Sequence, residues 1–306
     1  MAYRTLVRSR NGLQYAYPWT HRIWSMPGPF ATLIDEAAPL SMPGGSPPAH
    51  GRRYSIVGNR RESSMTHLPR LITKAALAAL IGLGFGLSTA ASAAEIESSI
   101  ARGGKLYDKW FKVIKAETPK DTHPAWPAAN TKKKGNVTWR CKSCHGWDGK
   151  GKDGAYASGS YKTGIKGING MAGADTAAII AVMKDETHAL AGKMDDQDFM
   201  DLANYVSKGQ VDTGKYIDAA AKMPKGGVAA KGEVYFNTLC AQCHGKDGSM
   251  PKDMKKTLAK QMSNPWEVMH KILNGQPGEQ MPALRALDRQ IVVDIMAHLT
   301  TLPKSK

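Results

Sequence analysis

Cysteine is scarce in this sequence. Only four occur in 306 residues, at 141, 144, 240 and 243, and all four fall inside two copies of one short motif. None is left over to build a disulfide framework. Long hydrophobic runs are missing too. The run from Ala75 to Leu87 has 13 residues, well short of the roughly 20 that a membrane-spanning helix needs. Acidic residues are outnumbered, 26 Asp and Glu against 42 Lys and Arg, for a formal net charge of +16. Such a balance alone would suggest a nucleic-acid binder or a protein that docks on acidic surfaces.

The distribution of that charge weakens the nucleic-acid reading. Met65 to Lys74 is basic, Ala75 to Leu87 is apolar, and small residues follow up to Ala91-Ser92-Ala93. This order is that of an export signal, with cleavage expected near Ala93. Residues 1–64 show no sustained period and are rich in Arg, Pro, Ser and Gly. They are expected to be a non-structural leader or a start-site artefact, with Met65 as the true start. Residues 1–93 hold 10 Lys+Arg and 3 Asp+Glu, which leaves 32 and 23 in the remainder and a charge of about +9. The expected mature chain is therefore an exported, periplasmic protein that does not span a membrane and does not bind nucleic acid.

Length and ordinary apolar content suit two modest domains. Apolar spacing predicts helices over 95–112, 175–185, 195–207, 264–274 and 288–300, with a further helix opening at Ala230. Long loops are expected at 118–138 and over the glycine-rich stretch 146–170. Residues 210–228 read as a linker, with a short helix around Tyr216 to Ala221. The resulting plan is all-α. Units over 94–209 and 229–306 repeat one order: glycine-aromatic helix, motif, loop, helix, short loop, final helix.

The repeated motif is Cys141-Lys142-Ser143-Cys144-His145 and Cys240-Ala241-Gln242-Cys243-His244. Two thiols two residues apart can bond the two vinyl groups of one haem. The histidine that follows can ligate its iron. A bare CxxC would equally suit a thioredoxin-like pair or half a zinc site. The histidine after both copies, and the export context, favour two covalently attached haem c groups.

With these motifs the chain resembles two class I cytochromes c in tandem. The resemblance covers roughly residues 95–306. In the second unit it rests on Gly232, Tyr235 or Phe236, Cys240, Cys243, His244 and the pair Met281-Pro282. In the first it rests on Gly103 or Gly104, Tyr107, Cys141, Cys144, His145 and Tyr205. It implies His244 and Met281 as axial ligands of the second iron and His145 as a ligand of the first. His298 stands where that family usually has an aromatic residue. The first unit has no Met-Pro pair before its final helix. An ungapped match of the final segments places His188 at the Met281 position, which makes His188 the expected distal ligand. Met194, which overlays the expected core residue Leu287, is an alternative, as are Met183, Met171 and His123. His270 is expected to be partly exposed.

The resemblance implies electron transfer between exported redox proteins, with an acidic-faced cytochrome, an oxidase or a respiratory complex as partner. Lys142, Lys150 and Lys152 near one motif, and Lys246, Lys252, Lys255 and Lys256 near the other, could steer such partners. Alternatives are a haem subunit of a respiratory complex, or a dihaem oxidoreductase acting on a small inorganic substrate. The latter would be thiosulfate dehydrogenase-like or peroxidase-like. The absence of a spare cysteine ligand counts against the first of those two.

Overall fold

A computed structural model describes residues 93–305. The leader 1–64, and all of the signal segment except Ala93, lie outside the described residues. The first helix, α1, runs over residues 93–113. Ile100, Leu106, Tyr107, Trp110 and Phe111 are its buried side chains, at the three- and four-residue intervals that put a stripe on one helix face. The motif itself forms α2, Cys141–His145. Two helices complete the first half, α3 at Thr176–Lys184 and α4 at Asp196–Lys208. The start of α4 is a capping box. The Asp195 carboxylate accepts from the Asp198 amide at 2.7 Å, and Asp198 accepts from the Asp195 amide at 3.2 Å. Together they satisfy donors that the first helical turn leaves without partners.

The second half contains α5, Ala229–Leu239, and α6, Ala241–His244. A short α7, Leu258–Gln261, precedes α8, Pro265–Asn274, and α9, Arg289–Leu299. The chain is predominantly helical, with one departure from the all-α expectation. Where a short helix was expected around Tyr216 to Ala221, strand β1 (Ile217–Asp218) pairs antiparallel with β2 (Met223–Pro224). The Asp218 carboxylate accepts from the amides of Ala220 and Ala221, both at 2.9 Å. This local turn satisfies the amides that a helix would have used.

Buried apolar residues fall into two clusters. One joins α1, α3 and α4 through Leu106, Trp110, Phe111, Ile179, Phe199 and Leu202. The other joins α5, α8 and α9 through Phe236, Met269, Ile272, Val292, Ile295 and Met296. Both clusters belong to one compact unit.

Each half is built on a helix crossing at a glycine. A Cβ at Gly103 would lie 2.0 Å from the Asp201 carbonyl oxygen on α4, and one at Gly232 would lie 1.9 Å from that of Asp294 on α9. Only hydrogen at those positions lets the backbones come so close. Four residues further along each first helix, an aromatic ring meets its partner. Tyr107 stands 5.2 Å from Tyr205, and Phe236 stands 5.3 Å from His298. His298 thus takes the place that Tyr205 occupies in the first half.

Gly104 has a different role from its neighbour. Its missing side chain makes room for Asn274 of α8, which a Cβ would approach to 2.3 Å. The α1 helix is therefore packed on two sides, against α4 of its own half and α8 of the other. Asp108, 1 % exposed, is paired there with both Arg140 and Lys271. Burial raises the Asp108 carboxyl, but the Lys271 and Arg140 cations overcome it and hold it down at about 2. His270, expected to be partly exposed, is 4 % exposed. Its Nε2–H donates to the Gly104 carbonyl at 2.9 Å, and its Nδ1 faces the Tyr205 hydroxyl at 3.3 Å. Burial pushes His270 down to about 4, so the ring is neutral in this interface. Leu287, expected in the core opposite Met194, is exposed, whereas Met194 is buried.

Candidate functional site

The first motif sits where three segments meet. Arg140, just ahead of Cys141, donates through Nε to the Asp108 carbonyl at 2.7 Å. The Tyr107 hydroxyl donates to the carbonyl of Gly146 at 2.6 Å. Both contacts fix the one-turn helix α2 against α1. The chain then leaves the helix through Gly146 at φ 81°, and the second motif leaves through Gly245 at φ 71°. This left-handed exit stops the helix directly after the histidine, and glycine adopts it without steric cost.

None of the four cysteines is paired in a disulfide. Burial pushes Cys141 up to about 12, and Cys144 and Cys240 up to about 11. Thiols held that far above neutrality are poor thiolate nucleophiles, unlike those of disulfide oxidoreductases. Among the described residues, no three His, Cys, Asp or Glu side chains converge as a metal-donor set. A haem iron does not call for one, because the porphyrin fills four positions and the protein supplies the axial two.

The two motif histidines share one second contact. His145 Nδ1 lies 2.8 Å from the carbonyl oxygen of Lys166, and His244 Nδ1 lies 3.1 Å from that of Met250. A carbonyl only accepts, so Nδ1 carries the hydrogen in each ring, and Nε2 keeps its lone pair. Metal-ligating histidines are oriented in this way by their other ring nitrogen. Burial also lowers the His145 pKa, which keeps its ring neutral.

His188 is brought to the first motif. Its ring centroid lies 6.3 Å from that of His145, with the two planes only 22° apart. Its Nδ1 donates to the Asp185 carboxylate at 3.0 Å, so Nε2 is again the free nitrogen. Imidazole–metal bonds of about 2 Å on either side, plus about 1 Å from each nitrogen to its ring centre, give about 6 Å. The centroid interval is of the size that one metal atom between two imidazoles requires. The residues around the first motif fit a covalently bound haem.

The first apolar cluster, against which Cys141 packs, holds the methionine candidates. Met183 and Met194 are buried in the first apolar cluster, and Met171 packs at its edge. Both ring nitrogens of His123 are committed, Nδ1 to the Ala125 amide and Nε2 to the His188 carbonyl. In the second half Met281 is half-buried in the loop between α8 and α9. Its carbonyl stands where a Cβ on Gly275 would approach to 2.6 Å.

Lys142 departs from its expected role. It is 4 % exposed, with its ammonium 4.8 Å from the Trp147 ring centre and 4.5 Å from that of Tyr161. Burial pushes it down to about 7. This side chain is caged by aromatic faces and is not presented to a partner. Lys152, Lys246, Lys255 and Lys256 are exposed. Sequence reasoning missed the Asp108–Lys271 pair. The one available signal was an acidic residue between Tyr107 and Trp110 on the buried side of α1.

Among the described residues, no helix is long and apolar enough to cross a membrane. Comparison with known proteins finds one family model, that of subunit III of cbb3-type cytochrome c oxidase, matching residues 227–299. The matched stretch begins just before α5, ends with α9, and takes in Cys240–His244 and Met281. No curated protein and no solved structure matches the chain. The C-terminal region is thus similar to a cytochrome-linked family.

Proposed function

We propose that this protein is an exported dihaem c-type cytochrome that passes electrons between redox partners. The observation that carries the reading is the pair His145 and His188, near-parallel rings 6.3 Å apart beside a CxxCH motif with both Nδ1 atoms already engaged. On this reading Cys141, Cys144, Cys240 and Cys243 form the thioether links. His145 and His188 hold one iron, and His244 and Met281 hold the other. The domains span 94–209 and 229–306, each of class I cytochrome c type, joined by 210–228 and preceded by a signal peptide over 65–93. When bound, the two haem groups supply one-electron iron couples.

The rest of the chemistry belongs to the protein. Lys166, Met250 and Asp185 fix the ring tautomers and aim the Nε2 lone pairs. The two apolar clusters exclude water from the sites. Two imidazoles favour a lower potential than imidazole with thioether. The first half therefore accepts the electron and the second delivers it. Exposed Lys246, Lys255 and Lys256 suit an acidic-faced partner on the delivering side.

The family match at 227–299 favours a second reading, in which the protein is the haem-bearing component of a respiratory oxidase. Both readings share the same two sites. Near-infrared magnetic circular dichroism of the purified protein, with and without His188→Ala, tests them. Two low-spin haems are expected, one bis-imidazole and one imidazole–thioether, and His188→Ala should convert only the first. An unchanged first haem in that variant would overturn the assignment. Migration with oxidase activity on native gels would select the second reading over a free carrier. A high-spin first haem in the unmodified protein would shift the function toward small-molecule oxidation or reduction.

A further inference from the structure

The two halves differ most in front of the motif. Tyr107 stands 34 positions before Cys141, whereas Phe236 stands 4 before Cys240. The extra chain in the first half is the loop that carries His123. Its length alone gives no function, but its contacts point in one direction.

The loop is tied down at its base, next to the motif. The His123 amide donates to Thr138 Oγ1 at 2.9 Å, and that hydroxyl donates to the Gly135 carbonyl at 2.6 Å. The His123 ring packs edge-on against Trp139, with centroids 4.3 Å apart. Trp139 Nε1 donates back to the Asp121 carbonyl at 2.8 Å, and Trp110 of α1 donates to the Trp139 carbonyl at 3.0 Å. Trp139 lies two residues before Cys141, so the ring of His123 is referenced to α2 through a short chain of contacts.

The free edge of that ring meets the distal loop. The Ala125 amide donates to His123 Nδ1 at 3.1 Å. The hydrogen of the neutral ring is therefore on Nε2, which donates to the carbonyl oxygen of His188 at 3.0 Å. That carbonyl belongs to the peptide leading into Ala189, a non-glycine residue at φ 52°. A left-handed alanine is strained and persists where its surroundings hold it. On the other side, His188 is held by Asp185, which accepts from both its amide and its Nδ1. The His188 peptide is thus gripped between Asp185 of its own loop and His123 of the inserted one.

We infer that His123 is the positioning residue for His188, and that the inserted loop is a clamp which keeps the distal imidazole over the first iron. The inference rests on the reading that His145 and His188 share that iron. The second half lacks both the insertion and a distal histidine, and needs no clamp.

The test uses the full-length protein loaded with both haems. His123→Phe keeps an aromatic ring against Trp139 and removes the donor, while His123→Gln keeps a donor of similar reach. In the unmodified protein the first haem should be low-spin and slow to take carbon monoxide when reduced. His123→Phe should raise the fraction lacking its distal imidazole roughly fivefold, the ratio that corresponds to about 1 kcal/mol for one hydrogen bond. The rise would be read as a high-spin signal and as a matching gain in carbon monoxide affinity at that haem alone. His123→Gln should restore the unmodified spectrum. If His123→Phe fails to load haem, Thr138→Val loosens the same loop from its base and should shift both readouts the same way. His188→Ala, run in parallel, separates the two failures. If it converts the first haem while His123→Phe and Thr138→Val change neither readout, the clamp is wrong and the ligand assignment stands. If His188→Ala itself leaves the first haem unchanged, the assignment falls and the clamp falls with it.

Discussion

Replacing Asp108 by asparagine removes the one acidic partner of two cations at the junction of the halves. Asp108 is 1 % exposed and pairs with Arg140 and Lys271, whose side chains are 18 % and 14 % exposed. Its carboxyl moves from an ordinary 3.8 to about 2 in the folded chain. At about 1.4 kcal/mol per pH unit this amounts to roughly 2.5 kcal/mol of linked stability. Leaving both cations without their counter-charge places the total cost at about 3–5 kcal/mol near neutral pH. The sign with pH is set by the lowered value. The ionised carboxylate stabilises the fold fully above about pH 4, and the contribution is lost as pH falls from there through about 2. Urea unfolding of the unmodified protein and of Asp108→Asn, followed from pH 7 to pH 2, measures it. The gap between the two should be constant down to about pH 4 and then narrow. A gap under about 0.5 kcal/mol at pH 7, or one that does not change between pH 4 and 2, would refute the argument.

His270 titrates in a separate window. Its folded value of about 4 lies below the ordinary 6.5, so the unfolded chain takes up a proton that the folded chain refuses. Stability should fall by about 3 kcal/mol between pH 6.5 and 4, and hydrogen exchange at the α1–α8 contact should accelerate over that range. Gly232→Ala drives a Cβ to 1.9 Å from backbone on α9. Thermal melts should show a net loss of about 2 kcal/mol after the gain in helix propensity, whereas Gly170→Ala, which meets nothing within 4 Å, should stay within about 0.5 kcal/mol. Cys240→Ser with Cys243→Ser should lower covalent haem from two groups per chain to one by the pyridine haemochrome assay. Two groups remaining would contradict the attachment sites.

Residue order alone placed α1, α3, α4, α8, α9 and the start of α5 to within about two residues, because their apolar faces repeat at the helical period, whereas the one-turn helices α2, α6 and α7 are too short to show a period. It also located both motifs, since a five-residue signature depends on no distant contact. The turn at Asp218 was missed because Asp-Ala-Ala-Ala has good helix propensity, and the competing bonds from one carboxylate outweigh it locally. The burial of His270 depends on Gly104 and Tyr205, 166 and 65 residues away, so no local pattern could show it. Leu287 is exposed although the ungapped match pairs it with buried Met194, so burial in the loop before the final helix does not follow the match residue by residue. In the sequence His123 reads only as a candidate ligand. Its role as a donor to the His188 carbonyl needed the tautomer, and the tautomer is set by the Ala125 amide.

The two neighbouring glycines of α1 explain how the halves are joined. Successive residues of a helix point about 100° apart, so Gly103 and Gly104 open two different faces for close approach, one to α4 and one to α8. The first face completes a crossing that the second half builds for itself at Gly232. The second face has no counterpart there, and it makes α1 the shared wall of the molecule. Asp108, on the same side of α1 as Gly104 and one turn further along, clamps that wall to Lys271, while Arg140 ties the clamp to the first motif. The spacing of the two sites is therefore set by helix packing, a buried ion pair and a connector over 210–228 that buries Ile217 in the second apolar cluster and bonds Gln210 to the Ile168 carbonyl. For a protein that relays electrons internally, as proposed here, the transfer rate depends steeply on that separation, so whatever fixes the spacing fixes the rate. A cut in the Asp108 network should therefore change the internal transfer rate.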